Sequence, residues 1–397
     1  MTALNMPPLT SSSRPIVLCF VAHYLPGYLS GGPVRSIANF VDFLGDEFDV
    51  RIVTLDRDVF DKQSYSDIIP NTWNIVGKAK VFYLSPERRN FRSISFLLRS
   101  TPHDVLYLNC FFHFYFTILP LLVRYLRIAS SPPCVLAPRG CFSQGALSIK
   151  HFKKKLYIFL AKIFRLYRDL YWQASTQLEA NDIRREFGAS AKYIEVAPNL
   201  TFAPANFTYS IRRRCPGPLR LIFLSRITPK KNLHFLLSAL SQVTSNVEVS
   251  IYGPIEDLLY WDHCKSLINH LSPNISVSFH GHIAPGQVPE VFMAHDLFVF
   301  PTLGENFGHV IYESLMCGTP VLVSDNTPWS PDRKGALTVL PLDISCWAET
   351  VSTWSFMDNY SLEIRRSAAH DYFRAYSENN ISVDLSRSLF NKVMRRS

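Results

Sequence analysis

The chain alternates short, continuous apolar runs with segments of helical period, and it does so in two successive series. Candidate strands in the first half are 15–21, 50–55, 80–84, 105–108, 134–137 and 193–196. Those in the second half are 219–224, 247–251, 275–280, 297–300 and 319–323. A strand that is apolar at every position is buried on both faces, which requires helices on both sides of a parallel sheet. Two such series in 397 residues predict an α/β protein of two doubly wound domains, each within the size of one core. A loose tail is expected at 1–14, one Rossmann-like domain at 15–205, a second at 206–370, and terminal helices at 371–397. The Pro-, Asn- and Arg-rich stretch 200–217 has no clean period and reads as a linker.

Charge divides the chain unevenly. Residues 1–200 carry 24 Lys and Arg against 15 Asp and Glu, whereas residues 201–397 carry 17 of each. The whole excess of +9 therefore lies in the first half, pointing to an anionic partner there. The eight cysteines include no C-x2-C pair, so a zinc knuckle is not expected, and most sit in apolar runs. That usage suits a reducing, cytoplasmic compartment. The stretch Val105 to Val123 runs 19 residues without a charge, near the length of a bilayer span. It reads better as a buried strand followed by an apolar helix, because Asp104, Arg124 and Arg127 flank it.

Three loops that follow predicted strands carry candidate chemistry. The first is Gly304-Glu305-Asn306-Phe307-Gly308, leading into a helix predicted over Gly308 to Met316. A helix N-terminus after a glycine-containing loop offers N–H groups and a positive dipole end to a diphosphate. Glu313, about 7–8 Å further along that helix, could hold the far end of an elongated ligand. The second is Ser225-Arg226-Ile227-Thr228-Pro229-Lys230-Lys231, whose Arg226 and Lys231 can neutralise a diphosphate at a strand C-terminus. The third is Pro26 to Ser36, where Gly31-Gly32 opens a helix and permits close backbone approach. It lacks the G-x-G-x-x-G spacing of a dinucleotide fingerprint.

With these residues the chain resembles glycosyltransferase family 4, retaining enzymes whose two Rossmann-like domains face a cleft in the GT-B fold. Glu305 and Glu313, with seven residues between them, match that family's paired-glutamate motif, Arg226 and Lys231 its basic pair, and Gly31-Gly32 its first-domain glycine loop. Thr54 to Asp58, Pro138 to Leu147 and Ser324 to Trp329 narrow the resemblance to bacterial surface-polysaccharide transferases. The resemblance implies a sugar transferred from a UDP- or GDP-sugar, with no metal, to a saccharide or lipid-linked saccharide. It also implies a C-terminal helix returning to the first domain. Arg226 and Lys231 would bind the diphosphate, Glu305 with the backbone of Asn306, Phe307 and Gly308 the transferred sugar, and Glu313 the ribose. Gly31 and Gly32 would approach the donor from the first domain.

Some features depart from that pattern. Where many members carry a histidine near the reacting sugar, this chain has Pro138-Arg139-Gly140, leaving His23 and His113 as substitutes. Asp56-Arg57-Asp58 has the D-x-D form that binds metals in a different architecture. It lies in the first domain, where a structural or acceptor-side role is expected. The segment 150–168 holds seven Lys and Arg and no acid, with apolar residues at 156, 159, 160, 163 and 167. It reads as an amphipathic helix for an anionic membrane surface, with the protein peripheral on the cytoplasmic face of the inner membrane. No nucleic-acid motif accompanies the charge. A nucleotide-sugar epimerase and a non-catalytic saccharide-binding subunit are the alternative functions.

Overall fold

The computed structural model describes residues 14–201, 217–378 and 381–396. The predicted tail and most of the predicted linker lie outside them. The described chain divides into two compact units. The first takes 14–143, 147–201 and 381–396, and the second 144–146 and 217–378.

In the first unit the strands are β1 (Ile16–Phe20), β2 (Asp49–Leu55), β3 (Trp73–Val76), β4 (Ala79–Leu84), β5 (Val105–Asn109), β6 (Cys134–Ala137), β7 (Tyr171–Ala174) and β8 (Tyr193–Val196). They form one sheet in the order β3-β4-β2-β1-β5-β6-β7-β8, parallel except for the antiparallel β3 at the edge. Every residue of β1, β2, β5, β6 and β7 is buried, as a sheet covered on both faces demands. Two of these strands were not foreseen. β3 is a half-exposed edge with Ile75 in solvent, so it lacks the continuous apolar run. β7 reads Tyr-Trp-Gln-Ala, and Gln173 interrupts the pattern, although its amide is satisfied inside by Tyr107 and the Ala197 carbonyl.

The uncharged stretch from Val105 folds as β5, a helical turn at Phe114–Ile118 and the helix Leu119–Tyr125. No described helix is long and apolar enough to cross a membrane. The C-terminal helix Ser382–Met394 belongs to the first unit. Its Phe390 packs 5.0 Å from Phe40 and 5.1 Å from Tyr107, ring centre to ring centre. The preceding helix, Asn359–Glu378, stays with the second unit, so only the last helix returns.

In the second unit β9 (Leu219–Leu224), β10 (Val247–Tyr252), β11 (Ile275–Gly281), β12 (Leu297–Phe300), β13 (Val321–Ser324) and β14 (Leu337–Leu340) form an all-parallel sheet. Its order is β11-β10-β9-β12-β13-β14. β14 is the unforeseen strand, a four-residue edge with one buried position. Both sheets reverse strand order beside their first strand, between β1 and β5 and between β9 and β12. Ligands of open parallel sheets bind beyond the strand C-termini at such a reversal.

Candidate functional site

The reversal in the second sheet puts two loops side by side: the one after β9, with Arg226 and Lys231, and the one after β12, with Glu305. Their backbones are tied together. Leu303 N–H donates to the Lys230 carbonyl at 2.9 Å, and the Asn232 amide donates to the Pro301 carbonyl at 2.9 Å. Lys231 and Glu305 meet as a direct ion pair, with side chains only 12% and 13% exposed. The Thr302 hydroxyl donates to the same Glu305 oxygen at 3.2 Å and fixes the carboxylate. The Lys231 ammonium also lies 5.1 Å from the centre of the Phe300 ring.

Each charge sets the other's protonation. Burial lowers the Lys231 pKa, the neighbouring Lys230 and Arg226 push it the same way, and Glu305 opposes them without restoring the usual value. For Glu305, burial acts to raise the carboxyl, but Lys231 and Lys230 outweigh it and hold the pKa below its usual value. The surrounding cations thus favour the carboxylate form of Glu305. An ammonium has three donors, so one contact with Glu305 leaves capacity for a second anion. Arg226 shares the positive field but is engaged elsewhere, donating to Glu256 at 2.6 Å, with about two-fifths of each side chain exposed.

The helix after this loop, His309–Met316, starts one residue later than predicted. Gly308 caps it with φ +83°, a left-handed conformation that disfavours other residues. A Cβ there would meet Ile311 Cδ1 at 2.9 Å. Phe307 is buried against Trp329, ring centres 5.4 Å apart, and its carbonyl accepts the Trp329 indole N–H. Any contact of Phe307 with a ligand is therefore through its backbone. Asn306 lies between Glu305 and this anchored phenylalanine, and Glu313 is half-buried in the second turn of the helix. The structure thus brings Arg226, Lys231 and Glu305 together, with Asn306 to Gly308 following directly. Sequence reasoning missed Glu256 and Thr302, the groups that hold Arg226 and Glu305. Thr302 lay in plain view between the strand and the glycine, whereas Glu256 is brought in from the loop after β10.

Gly31 and Gly32 belong to the first unit, at the C-terminal end of β1 beside that sheet's own reversal. Gly31 has φ +70° and caps the helix Gly32–Leu44. Asp58 holds the loop before them: one carboxylate oxygen accepts Tyr28 N–H at 2.7 Å and Leu29 N–H at 3.0 Å, and the other accepts Val59 N–H at 2.8 Å. Asp56 pairs with Arg57 at 2.8 Å. Both carboxylates of the D-x-D sequence therefore serve the fold, and no cluster of three or more metal-ligating side chains occurs among the described residues.

His113 caps the turn Phe114–Ile118, its Nδ1 accepting Phe116 N–H at 3.2 Å. Burial, reinforced by His23 and Arg89, lowers its pKa to about 4, so it is neutral at pH 7. Arg139 donates to Asn109 and Tyr107 at 2.8 Å and also to Asn199, while Glu179 receives the Gly140 N–H at 2.6 Å. Pro138-Arg139-Gly140 is thus bound into the ends of β5 and β6.

The predicted basic helix is His151–Ile163, shorter than 150–168. Ile158 and Ala161 cover the core, and Tyr167 lies beyond the helix and is buried, which removes it from the predicted apolar face. Phe152, Leu156, Phe159, Leu160 and Ile163 are exposed.

Residues 213–332 match the family model described as Glycosyl transferases group 1. Over 165 residues the chain is 30% identical to a D-inositol 3-phosphate glycosyltransferase of Arthrobacter, covering 38% of each. Over 110 residues it is 32% identical to an alpha-monoglucosyldiacylglycerol synthase of Streptococcus pneumoniae, covering 28% of this chain and 25% of that protein. The matched part therefore spans little more than a third of these curated relatives at most. The fold is also that of the Anabaena protein HepE, solved in complex with UDP and glucose. That likeness has a TM-score of 0.64 at 17% identity and covers 96% of this chain and 99% of that one.

Proposed function

We propose, from a group 1 glycosyltransferase match that spans the loops after β9 and β12, that this chain is a retaining family 4 hexosyltransferase. Its donor is a UDP- or GDP-sugar and its acceptor a saccharide or lipid-linked saccharide in bacterial surface-polysaccharide synthesis, whether lipopolysaccharide, O-antigen or exopolysaccharide. The observation that carries this reading is the shielded Lys231–Glu305 pair at the reversal of the second sheet, one short loop before a helix N-terminus. Lys231, Arg226 and that helix end stabilise the negative charge that grows on the departing diphosphate, where fixed dipoles and cations contribute most. They supply the positive charge that a divalent cation would otherwise bring, so the reaction runs without metal. Glu305 accepts hydroxyls of the transferred sugar beside the Asn306 to Gly308 backbone, and Glu313 accepts those of the donor ribose. The streptococcal relative's name, a glucosyldiacylglycerol synthase, favours an acceptor carried on lipid.

A thermal-shift series with UDP, GDP and ADP tests the donor site. A ligand that binds only the native state raises the melting temperature by mass action, about 2.7 kcal/mol at a hundredfold excess over Kd. UDP or GDP should give a clear rise and ADP little. No rise with any of them would refute the donor assignment.

We also propose that the exposed stripe of the helix His151–Ile163 rests on an anionic membrane at the cytoplasmic face, with Lys150, Lys153 and Lys154 beside it. Lys155 is unsuitable for the test, because it pairs with the buried Glu186 at 2.8 Å. Phe152→Ser with Phe159→Ser should instead release the protein from phosphatidylglycerol vesicles, since each exposed ring removes apolar area worth about 1.5–3 kcal/mol when buried. Unchanged co-sedimentation would exclude this contact.

A further inference from the structure

The helix Phe91–Ser100 in the first unit has a face that its own packing does not use. Ile94, Leu97 and Leu98 point into the core. The opposite stripe, with Ile128 from a neighbouring loop, walls a surface groove of about 610 Å³. Phe91, Phe96 and Ile128 supply apolar surface and are each 37–38% exposed. Arg92 and Arg99 also line the groove, and no acidic side chain does. Neither arginine makes a hydrogen bond or ion pair among the described residues. Seven positions apart, they stand two helical turns from each other on one side, so both reach the same groove. The Ser95 side chain, 9% exposed, also lines it, and its hydroxyl is buried with no hydrogen-bond partner. A buried hydroxyl left unpaired is uncommon in folded proteins.

We infer that this groove binds an amphipathic phosphate: a hydrocarbon chain over Phe91, Phe96 and Ile128, with a phosphate or diphosphate head held by Arg92 and Arg99. Guanidinium forks match phosphate oxygens in pairs and hold them more specifically than an ammonium does. A groove of this size suits a single chain, within the range of small-molecule sites. A neutral saccharide would find neither carboxylate nor amide side chains along the walls, and a bare phosphate would leave the aromatic surface unused. The site stands apart from the donor reading. All its residues lie in the first unit, and its occupancy is measured without donor or turnover.

The test is calorimetric titration of the full chain with dodecyl phosphate, kept below its micelle concentration at low salt. Dodecyl maltoside and inorganic phosphate are run in parallel. Dodecyl phosphate should bind saturably, and the other two should bind at least about tenfold more weakly, because each offers only one of the two interactions. R92Q combined with R99Q should weaken dodecyl phosphate at least about tenfold, since charge-assisted hydrogen bonds are the strong ones. Far-UV circular dichroism and melting should stay unchanged, because both side chains are exposed. Phe96→Ser should weaken binding with both charges in place. The exposed helix at 151–163 can also take up a hydrocarbon chain, and the arginine variant separates the two sites. Undiminished binding by R92Q/R99Q would overturn the proposal. Equal binding of dodecyl maltoside would reduce the groove to an apolar surface, and equal binding of inorganic phosphate would reduce it to a simple anion site; either result overturns it.

Discussion

Lys231→Ala should lower kcat/KM for the nucleotide sugar by about 10²-fold or more and erase the rise in melting temperature with the nucleoside diphosphate. A hundredfold loss corresponds to about 2.7 kcal/mol of transition-state stabilisation, the size found when one fixed donor to a developing anion is removed. The side chain is shielded, pinned between Glu305 and the Phe300 ring, and in the field of Lys230 and Arg226. A cation so held reorganises little as charge moves onto the leaving diphosphate. Its removal acts twice: the diphosphate loses its neutralising group, and Glu305 loses the partner that keeps it ionised. Only Lys230 and the Thr302 hydroxyl then oppose burial at Glu305, which takes up a proton more readily and accepts sugar hydroxyls less well. Arg226→Ala should cost less, about tenfold, because Arg226 is more exposed and its charge better screened. Comparing both variants with the wild-type protein in one donor assay ranks the two cations. Wild-type kcat/KM in Lys231→Ala would remove the assigned role.

That ranking could not be read from the sequence, where Arg226 and Lys231 look alike as two cations after a strand. What separates them is the environment each strand end provides. Lys231 faces β12 across the sheet reversal and is covered by its loop, whereas Arg226 faces the rim and meets Glu256. The sheets themselves were legible because central parallel strands are continuous apolar runs, as β1 and β12 show. Strand order was not written locally, yet the doubly wound pattern still implied loops gathered at strand C-termini. β3 and β14 escaped notice because an edge strand needs only partial burial, and β7 because a satisfied internal glutamine looks like a break. Asp56-Arg57-Asp58 takes a structural role, one of the two expected of it, but which one could not be read locally. Its spacing suggests a ligand set, but the carboxylates are consumed by Arg57 and by the N–H groups of Tyr28, Leu29 and Val59. Which partner a carboxylate meets depends on neighbours far along the chain.

The largest effect on stability should come from Asp49→Asn, at the start of β2. Asp49 and Arg51 are 3% and 1% exposed, and one Asp49 oxygen accepts from Arg51 at 2.8 Å and from Lys80 at 3.1 Å. Removing the carboxylate leaves the Arg51 guanidinium buried with Lys80 nearby and no counter-charge. Breaking a buried pair in this way costs about 3–5 kcal/mol, because the surviving charge stays desolvated. The pH dependence follows from the direction of the shift. Burial acts to raise the Asp49 pKa, but Arg51 and Lys80 outweigh it, and the folded-state value lies below the ordinary one. A depressed carboxylate contributes stability that is fully present above the unfolded pKa, about 3.9, and lost as pH falls through the folded value. The wild-type protein should therefore exceed Asp49→Asn by the full amount at pH 7, and the gap should shrink below about pH 4 as Asp49 takes up its proton. The two units need not unfold together, so the measurement is hydrogen exchange of β1, β2 and β4 amides under graded denaturant, which reports the first unit alone. A difference under about 1 kcal/mol, typical of exposed pairs, or one that does not change with pH, would mean that Arg51 finds its neutralisation elsewhere.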